Sequence, residues 1–475
     1  MGGQGPEAEG YDRQGVGASE PAADERLAVD RFVLANGLEV WHKERAGTGT
    51  VSIVLVVRVG ARNETPQNNG ISHFVEHMLF DGTECRDEYE IKEVIRRRGG
   101  YYNAATDYES TVVEAHLLAK DLELALDWLT DIVFRSTFPA DKVARERQVL
   151  IQEKGGRSSR VLDALESWGF GYDLGLTIRQ RLFPGSSLGL RVAGEDASLD
   201  RIDREMLRAY HERYYRPNNM ALVVVGDVTN ERVHQAAVRY LGEFAPAPVP
   251  ATPPVPPAVG QPVTVWLRGP HIADRAAMRY GARTVGAGHP DAVVLEVLAE
   301  VLSDRLTDEV RLRQGLVYSI GAYHVALSDT GYFAVRTESD GGKMKNIVAT
   351  VEQHMQRLCS EPVPDDELCQ AKATLQGQFA LATQSNPSLA WLFADYAVWN
   401  RAGEPVPDRH RQIEAVQPED ILRVGQCYFV PENSYLGLYR PVMTAKTGAL
   451  GIAAAAALFV GLGLSRRLYR RGGAT

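Results

Sequence analysis

Two histidines and a glutamate in NNGISHFVEHMLFDGT, residues 68–83, have the types and spacing to hold and use a metal ion. Asn69 and Ser72 are helix-starting residues ahead of an apolar stretch, so His73 to Met78 is expected on a helix. His73 and His77 then lie one turn apart on one face, where two imidazole nitrogens can reach a single cation. Glu76, beside His77 and three residues after His73, can point at water activated by that cation and take its proton. A bare His-x-x-x-His more often marks a solvated or core-satisfied helix face; the glutamate inside the motif shifts the balance toward chemistry.

A catalytic zinc needs a third protein ligand and an open position. The candidate is Glu153, on the expected helix DKVARERQVLIQEKGG, residues 141–156, where Glu146 stands seven residues earlier and two turns up the same face. A carboxylate at Glu153 is placed to complete the shell while Glu146 accepts a hydrogen bond from a metal-binding imidazole. Taken alone, such a pair more often marks an exposed acidic helix face.

The elements that must position these groups are mixed. Alternating apolar runs such as VSIVLVVRVG (51–60) and MALVVVGD (220–227) read as strands, and longer periodic stretches at 120–135 and 141–154 read as helices. The fold class expected is α+β, with helices packed on sheets. Between Phe244 and Pro262 the composition turns to PAPVPATPPVPPAVGQP, which favours an extended linker at 245–261 between a first half at 27–244 and a second at 262–440. The halves read as diverged copies. EMLRAYHERYYRPNNMALVVVGD from Glu205 and EDILRVGQCYFVPENSYLGLY from Glu419 align without a gap at an offset of 214 residues, superposing Tyr214 on Tyr428, Pro217 on Pro431 and Asn219 on Asn433.

These residues carry a family resemblance. HFVEHMLFDGT resembles the inverted zinc motif, His-x-x-Glu-His, of the pitrilysin/insulinase metallopeptidases. In that family a distal glutamate ligand lies about 76 residues beyond the second histidine, on a helix with another acidic residue seven positions before it, and Glu153 and Glu146 fit both requirements. GGYYNAATDYESTVVEA, residues 99–115, is similar to the family's Gly-Gly-x-x-Asn-Ala-x-Thr segment, which implies that Asn103 and Ala104 form the edge on which a peptide adds as a β-strand. VRLRQGLVYSIGAY, residues 310–323, resembles the family's Arg-x-x-x-Gly-Leu-x-Tyr segment, which implies that Arg311 and Tyr318 reach across to substrate bound in the first half.

The similarity spans about residues 27–440 and is greatest to the two-domain processing-peptidase branch. It implies two homologous domains, each a mainly antiparallel sheet covered by helices, enclosing a cleft. The activity implied is zinc-dependent endopeptidase action on short or unfolded peptides, with one Zn²⁺ per chain, Glu76 as general base and Arg311 and Tyr318 assisting. No His-x-x-Glu-His follows residue 262, so the second half is expected to be metal-free. A homodimer, or a heterodimer with a related subunit, fits the resemblance. So does a catalytically silent scaffold subunit, although such relatives lose metal or base residues that are all present here, and so does a zinc-binding chaperone that does not cut.

Composition bounds the rest. A chain of 475 residues needs at least two domains, and 44% apolar with 24% charged residues is ordinary for a globular protein. A net charge of −9 offers no broad basic surface for nucleic acid. Cys85, Cys359, Cys369 and Cys427 form no Cys-x-x-Cys pair, and most of them are expected as small core residues.

Residues 1–26 lack the apolar core of a signal peptide and read as a disordered leader. Near the other end, GALGIAAAAALFVGLGL (448–464) is followed by Arg466, Arg467, Arg470 and Arg471, which suggests a C-terminal transmembrane anchor at 447–465 and a membrane location. Such a helix would be about 26 Å long, just short of the roughly 30 Å bilayer core. The arginines favour a cytoplasmic C-terminus, whereas the lack of an export signal favours cytoplasmic catalytic domains, so the orientation stays open.

Overall fold

The computed structural model describes residues 27–156, 173–272, 275–401 and 403–443. Two sheets organise them. The first contains β1 (Asp30–Val33), β2 (Glu39–Glu44), β3 (Thr50–Val57), β4 (Tyr101–Thr106), β5 (Thr111–Leu118) and β6 (Met220–Gly226), in the order β1-β2-β6-β3-β5-β4. The second contains β7 (Val263–Ile272), β8 (Arg275–Thr284), β9 (Ile320–Ala326), β10 (Gly331–Asp340) and β11 (Ser434–Met443), in the order β7-β11-β8-β10-β9. Each sheet is antiparallel except for one parallel pair, β2 with β6 and β7 with β11. The fold is α+β.

The two orders coincide once β1 is set aside. The copies also share a detail: Asn219 Nδ2 donates to the carbonyls of Tyr214 (3.0 Å) and Arg58 (3.3 Å), and Asn433 Nδ2 to those of Tyr428 (2.7 Å) and Arg283 (2.7 Å). In both halves this amide ties the end of a helix to the sheet strand beside it, satisfying carbonyls that the helix terminus leaves open.

The long apolar runs of β3 and β6 follow from burial on both faces. Val51, Ile53, Leu55 and Val57 with Met220, Leu222 and Val224 face a core formed with the helices Ile71–Met78, Leu122–Phe134, Ala140–Glu153, Arg204–Tyr214 and Asn230–Leu241. Val54, Val56, Ala221, Val223 and Val225 face the other way, onto Leu389, Ala390, Phe393 and Ala394 of the helix Asn386–Trp399, which belongs to the second half. The exchange is mutual. Leu174, Ile178 and Leu182 of the helix Leu174–Leu182 cover Val263, Val265, Leu267, Tyr435 and Tyr439 of the second sheet. Each half thus lends a helix to the other's sheet, and residues 245–261 join them without helix or strand.

Buried polar contacts cross the same seam. Arg62, 1% exposed, donates to Asp329 Oδ2 (2.6 Å), Ser328 Oγ (3.2 Å) and the Pro253 carbonyl (3.0 Å) while pairing with Glu109 of its own half. Arg58 Nε donates to the Ala397 carbonyl at 2.8 Å and its Nη2 pairs with Glu39 Oε1 at 2.9 Å.

Two expectations are corrected. Among the described residues no helix is long and apolar enough to cross a membrane, so the anchor at 447–465 and the membrane location drawn from it are withdrawn. Residues 447–465 themselves, like the leader at 1–26, lie outside the described residues. The physical weakness of the anchor lay in its Ala- and Gly-rich composition, only weakly apolar, and in its short span. The cysteines are not core residues either: all four are free, three are exposed and Cys359 is half-buried.

Candidate metal centre

The helix Ile71–Met78 divides its side chains cleanly. Ile71, Phe74, Val75 and Met78, spaced at three and four residues, enter the core of the first half, which leaves His73, Glu76 and His77 on the opposite flank. The helix Ala140–Glu153 packs beside it, burying Val143, Leu150 and Ile151 and turning Glu146 and Glu153 toward the histidines. Glu153 is the last residue of that helix, where the negative end of the helix dipole also favours a cation.

His73, His77 and Glu153 each offer one donor atom within 4.8 Å of the others. Nε2 of His77 lies 3.4 Å and Nε2 of His73 3.8 Å from Oε2 of Glu153. Ligands at about 2.0–2.1 Å on a tetrahedron stand roughly 3.4 Å apart, so this donor set suits zinc with little adjustment. The imidazoles meet edge to face at a centroid separation of 4.7 Å. Burial, with the His77 ring as a lesser cause, depresses the His73 pKa to about 4, which keeps its lone pair free at neutral pH. Nδ1 of His77 lies 3.2 Å from Oε2 of Glu146. Nδ1 of His73 is buried and has no hydrogen-bond partner among the described residues.

Glu76 stands next to this cluster without joining it. Its buried carboxyl has a raised pKa, chiefly from desolvation, opposed by a hydrogen bond from Thr106 and by His77 and reinforced by Glu153. Thr106 Oγ1 donates to Glu76 Oε2 at 2.6 Å from the end of β4. β4 is an edge strand, so the backbone groups on its outer side have no strand partner among the described residues. A cavity of about 420 Å³ joins these parts, lined by the histidines and glutamates together with Asn103 and Ala104 of β4 and by Phe80, Tyr102, Asp81 and Lys92. Phe80 stacks on Tyr102 with centroids 5.7 Å apart, giving the cavity an aromatic wall.

Seven of the nine residues singled out by sequence therefore meet: His73, Glu76, His77, Asn103, Ala104, Glu146 and Glu153. Arg311 and Tyr318 do not line this cavity. Arg311 lies in the π-helical turn Thr307–Arg313, its guanidinium carbon 5.7 Å from the ring of Tyr318, which is 80% exposed. Sequence reasoning missed Thr106, although the segment containing Asn103 and Ala104 includes it.

Two family models match the chain: "Insulinase (Peptidase family M16)" over residues 40–178 and "Peptidase M16 inactive domain" over residues 201–375. The chain belongs to peptidase family M16. An uncharacterized zinc protease of Bacillus subtilis, YmxG, is 28% identical over 366 residues, covering 76% of this chain and 86% of that one. The mitochondrial-processing peptidase subunit beta of Mus musculus is 26% identical over 423 residues, covering 86% and 84%. The crystal structure of a protease from Helicobacter pylori superposes with a TM-score of 0.75 at 22% identity, covering 87% of this chain and 99% of that one, which establishes the shared fold. YmxG is described as a zinc protease.

Proposed function

We propose that this chain is a zinc-dependent endopeptidase for short or unfolded peptides, with His73, His77 and Glu153 as ligands and Glu76 as general base. The observation that carries the reading is the convergence of two imidazole nitrogens and one carboxylate oxygen, with a second, buried carboxylate beside them and outside the donor set. Zinc, when bound there, supplies a Lewis acid that polarises a scissile carbonyl and lowers the pKa of water to about 7.

The chain's own residues do the rest. Glu76 takes the proton from the attacking water and passes it to the leaving amine, and Thr106 holds that carboxylate in place. Glu146 accepts a hydrogen bond from Nδ1–H of His77, which leaves Nε2 as the ligand atom. The outer edge of β4 at Asn103 and Ala104 pairs with the peptide main chain, so affinity makes little demand on sequence. Phe80 and Tyr102 offer an apolar surface to one substrate side chain.

Arg311 and Tyr318 act, in this reading, on the cavity of a second chain. The exposure of Tyr318 and the absence of both residues from the lining of their own chain's cavity support this, as does the relative whose name describes it as a subunit. The function is tested by metal analysis. Purified protein is expected to carry one zinc per chain, with His77→Ala and Glu153→Gln largely metal-free, and a wild-type chain that does not bind zinc would refute it.

A further inference from the structure

The helix bearing His73, Glu76 and His77 has only eight residues and starts without a side-chain cap. Its N-cap position is Gly70, at φ +91, where a Cβ would come within 2.7 Å of the Gly194 backbone. The serine, aspartate or asparagine that ordinarily caps a helix is thereby excluded. The open amides of the first turn still need acceptors.

Glu64 supplies them from outside the helix. Its Oε2 accepts the Gly70 amide at 2.7 Å and Asn69 Nδ2 at 2.8 Å, and its Oε1 accepts the Ser72 amide at 2.9 Å. The side chains around this carboxylate are fixed in turn. Asn69 Nδ2 also donates to the Arg191 carbonyl at 2.8 Å, Ser198 Oγ donates to the Asn69 carbonyl at 2.7 Å, and Ser72 Oγ meets the Tyr210 hydroxyl at 2.8 Å. Burial raises the Glu64 pKa to about 7, while the bonds from the Gly70 and Ser72 amides and the helix dipole favour its ionised form. The last of these amides belongs to the residue immediately before His73.

We propose that Glu64 is a positioning residue of the metal site: its carboxylate fixes the start of the short helix and, through it, the mutual placement of both imidazoles and the base. A helix of two turns is marginal by itself, so the direction of its side chains depends on how its ends are held. This rests on the zinc reading given above. A role confined to fold stability would leave the donor geometry unchanged in folded protein.

The test compares wild type and Glu64→Gln in the full chain by competition with a chromophoric chelator for zinc and by the visible spectrum of the cobalt(II)-loaded protein. Glu64→Gln is expected to bind zinc about 10–100-fold more weakly, the range typical of groups that orient metal ligands, and to show altered cobalt d–d bands. Equal affinity and an unchanged spectrum would overturn the role of Glu64 while leaving the metal site standing. A wild-type chain that binds neither metal would overturn both. If Glu64→Gln does not fold, hydrogen exchange of the wild type decides: zinc raises protection of the Gly70 and Ser72 amides if the cap and the ligands are coupled, and unchanged protection rejects the proposal.

Discussion

Nδ1 of His77 and Oε2 of Glu146 lie 3.2 Å apart, on two helices whose sequences are separated by more than sixty residues. Because the carboxylate accepts from Nδ1, it selects the tautomer whose Nε2 lone pair faces Glu153. Glu146→Gln keeps a polar group of similar size but removes the charge. Zinc affinity in the variant is predicted to fall about 10–100-fold with the fold intact, measured by chelator competition alongside circular dichroism. Unchanged affinity would show that Glu146 orients nothing.

Thr106 has a different task, since it touches the base and none of the proposed ligands. Thr106→Val is close in volume and removes only the hydroxyl. It is predicted to retain full zinc content and to lose about tenfold in kcat, the scale of one lost hydrogen bond to a charged group. Steady-state kinetics beside metal analysis checks this, and a loss of zinc in the variant would assign Thr106 to the metal site instead.

The helix exchange between halves predicts how the chain behaves when it is cut. A protease site engineered into residues 245–261 and then cleaved is expected to leave two fragments that co-elute in size exclusion, because each retains a helix buried on the other's sheet. Phe393→Ala, which empties part of that interface, is predicted to cost about 3–5 kcal/mol by chemical denaturation. Fragments that separate freely would contradict the interlock.

Arg62 makes a sharper test of the seam. Arg62→Ala leaves the largely buried Glu109 with its bonds from Ser328 but no countercharge, and removes the guanidinium from Asp329, a loss predicted at about 3 kcal/mol. The double variant with Glu109→Gln is expected to recover part of it, since the stranded charge goes too. Additive losses in the denaturation midpoint would rule out the coupling.

Stability should also carry the signature of His211, which is buried and whose pKa is lowered to about 4, chiefly by that burial. Unfolding returns it to about 6.5, so between these values the unfolded chain binds the extra proton. Its contribution is complete above pH 6.5 and is lost as the pH falls toward 4. The stability advantage of wild type over His211→Asn is therefore predicted to shrink across that window in urea titrations, and an advantage independent of pH would exclude the burial argument.

What could be read in sequence was local or repeated. His73, Glu76 and His77 share one helix, so spacing alone put them on a common flank, whereas Glu153 needed the family resemblance because nothing local distinguishes it from an exposed acidic face. The duplication was legible in aligned residues and reappears in the paired bonds of Asn219 and Asn433. The helix exchange was not legible. Continuous apolar runs in β3 and β6 required two covers, but Leu174–Leu182 and Asn386–Trp399 do not declare in their sequences which sheet they will cover. Arg311 and Tyr318 are expected at the substrate on family pattern alone, and they lie together, 5.7 Å apart, outside the lining of the cavity. Glu64 and Thr106 act through contacts with a neighbouring segment, and only three-dimensional placement distinguishes them from other polar residues.

The central claim is that Glu76 performs chemistry at a zinc site it does not help to build. Cleavage of a quenched peptide library by zinc-loaded wild type and zinc-loaded Glu76→Gln measures this most directly. The predicted result is hydrolysis by wild type, abolished by chelator and restored by zinc, against none by a Glu76→Gln chain holding the same zinc. Hydrolysis by Glu76→Gln at the wild-type rate would contradict it.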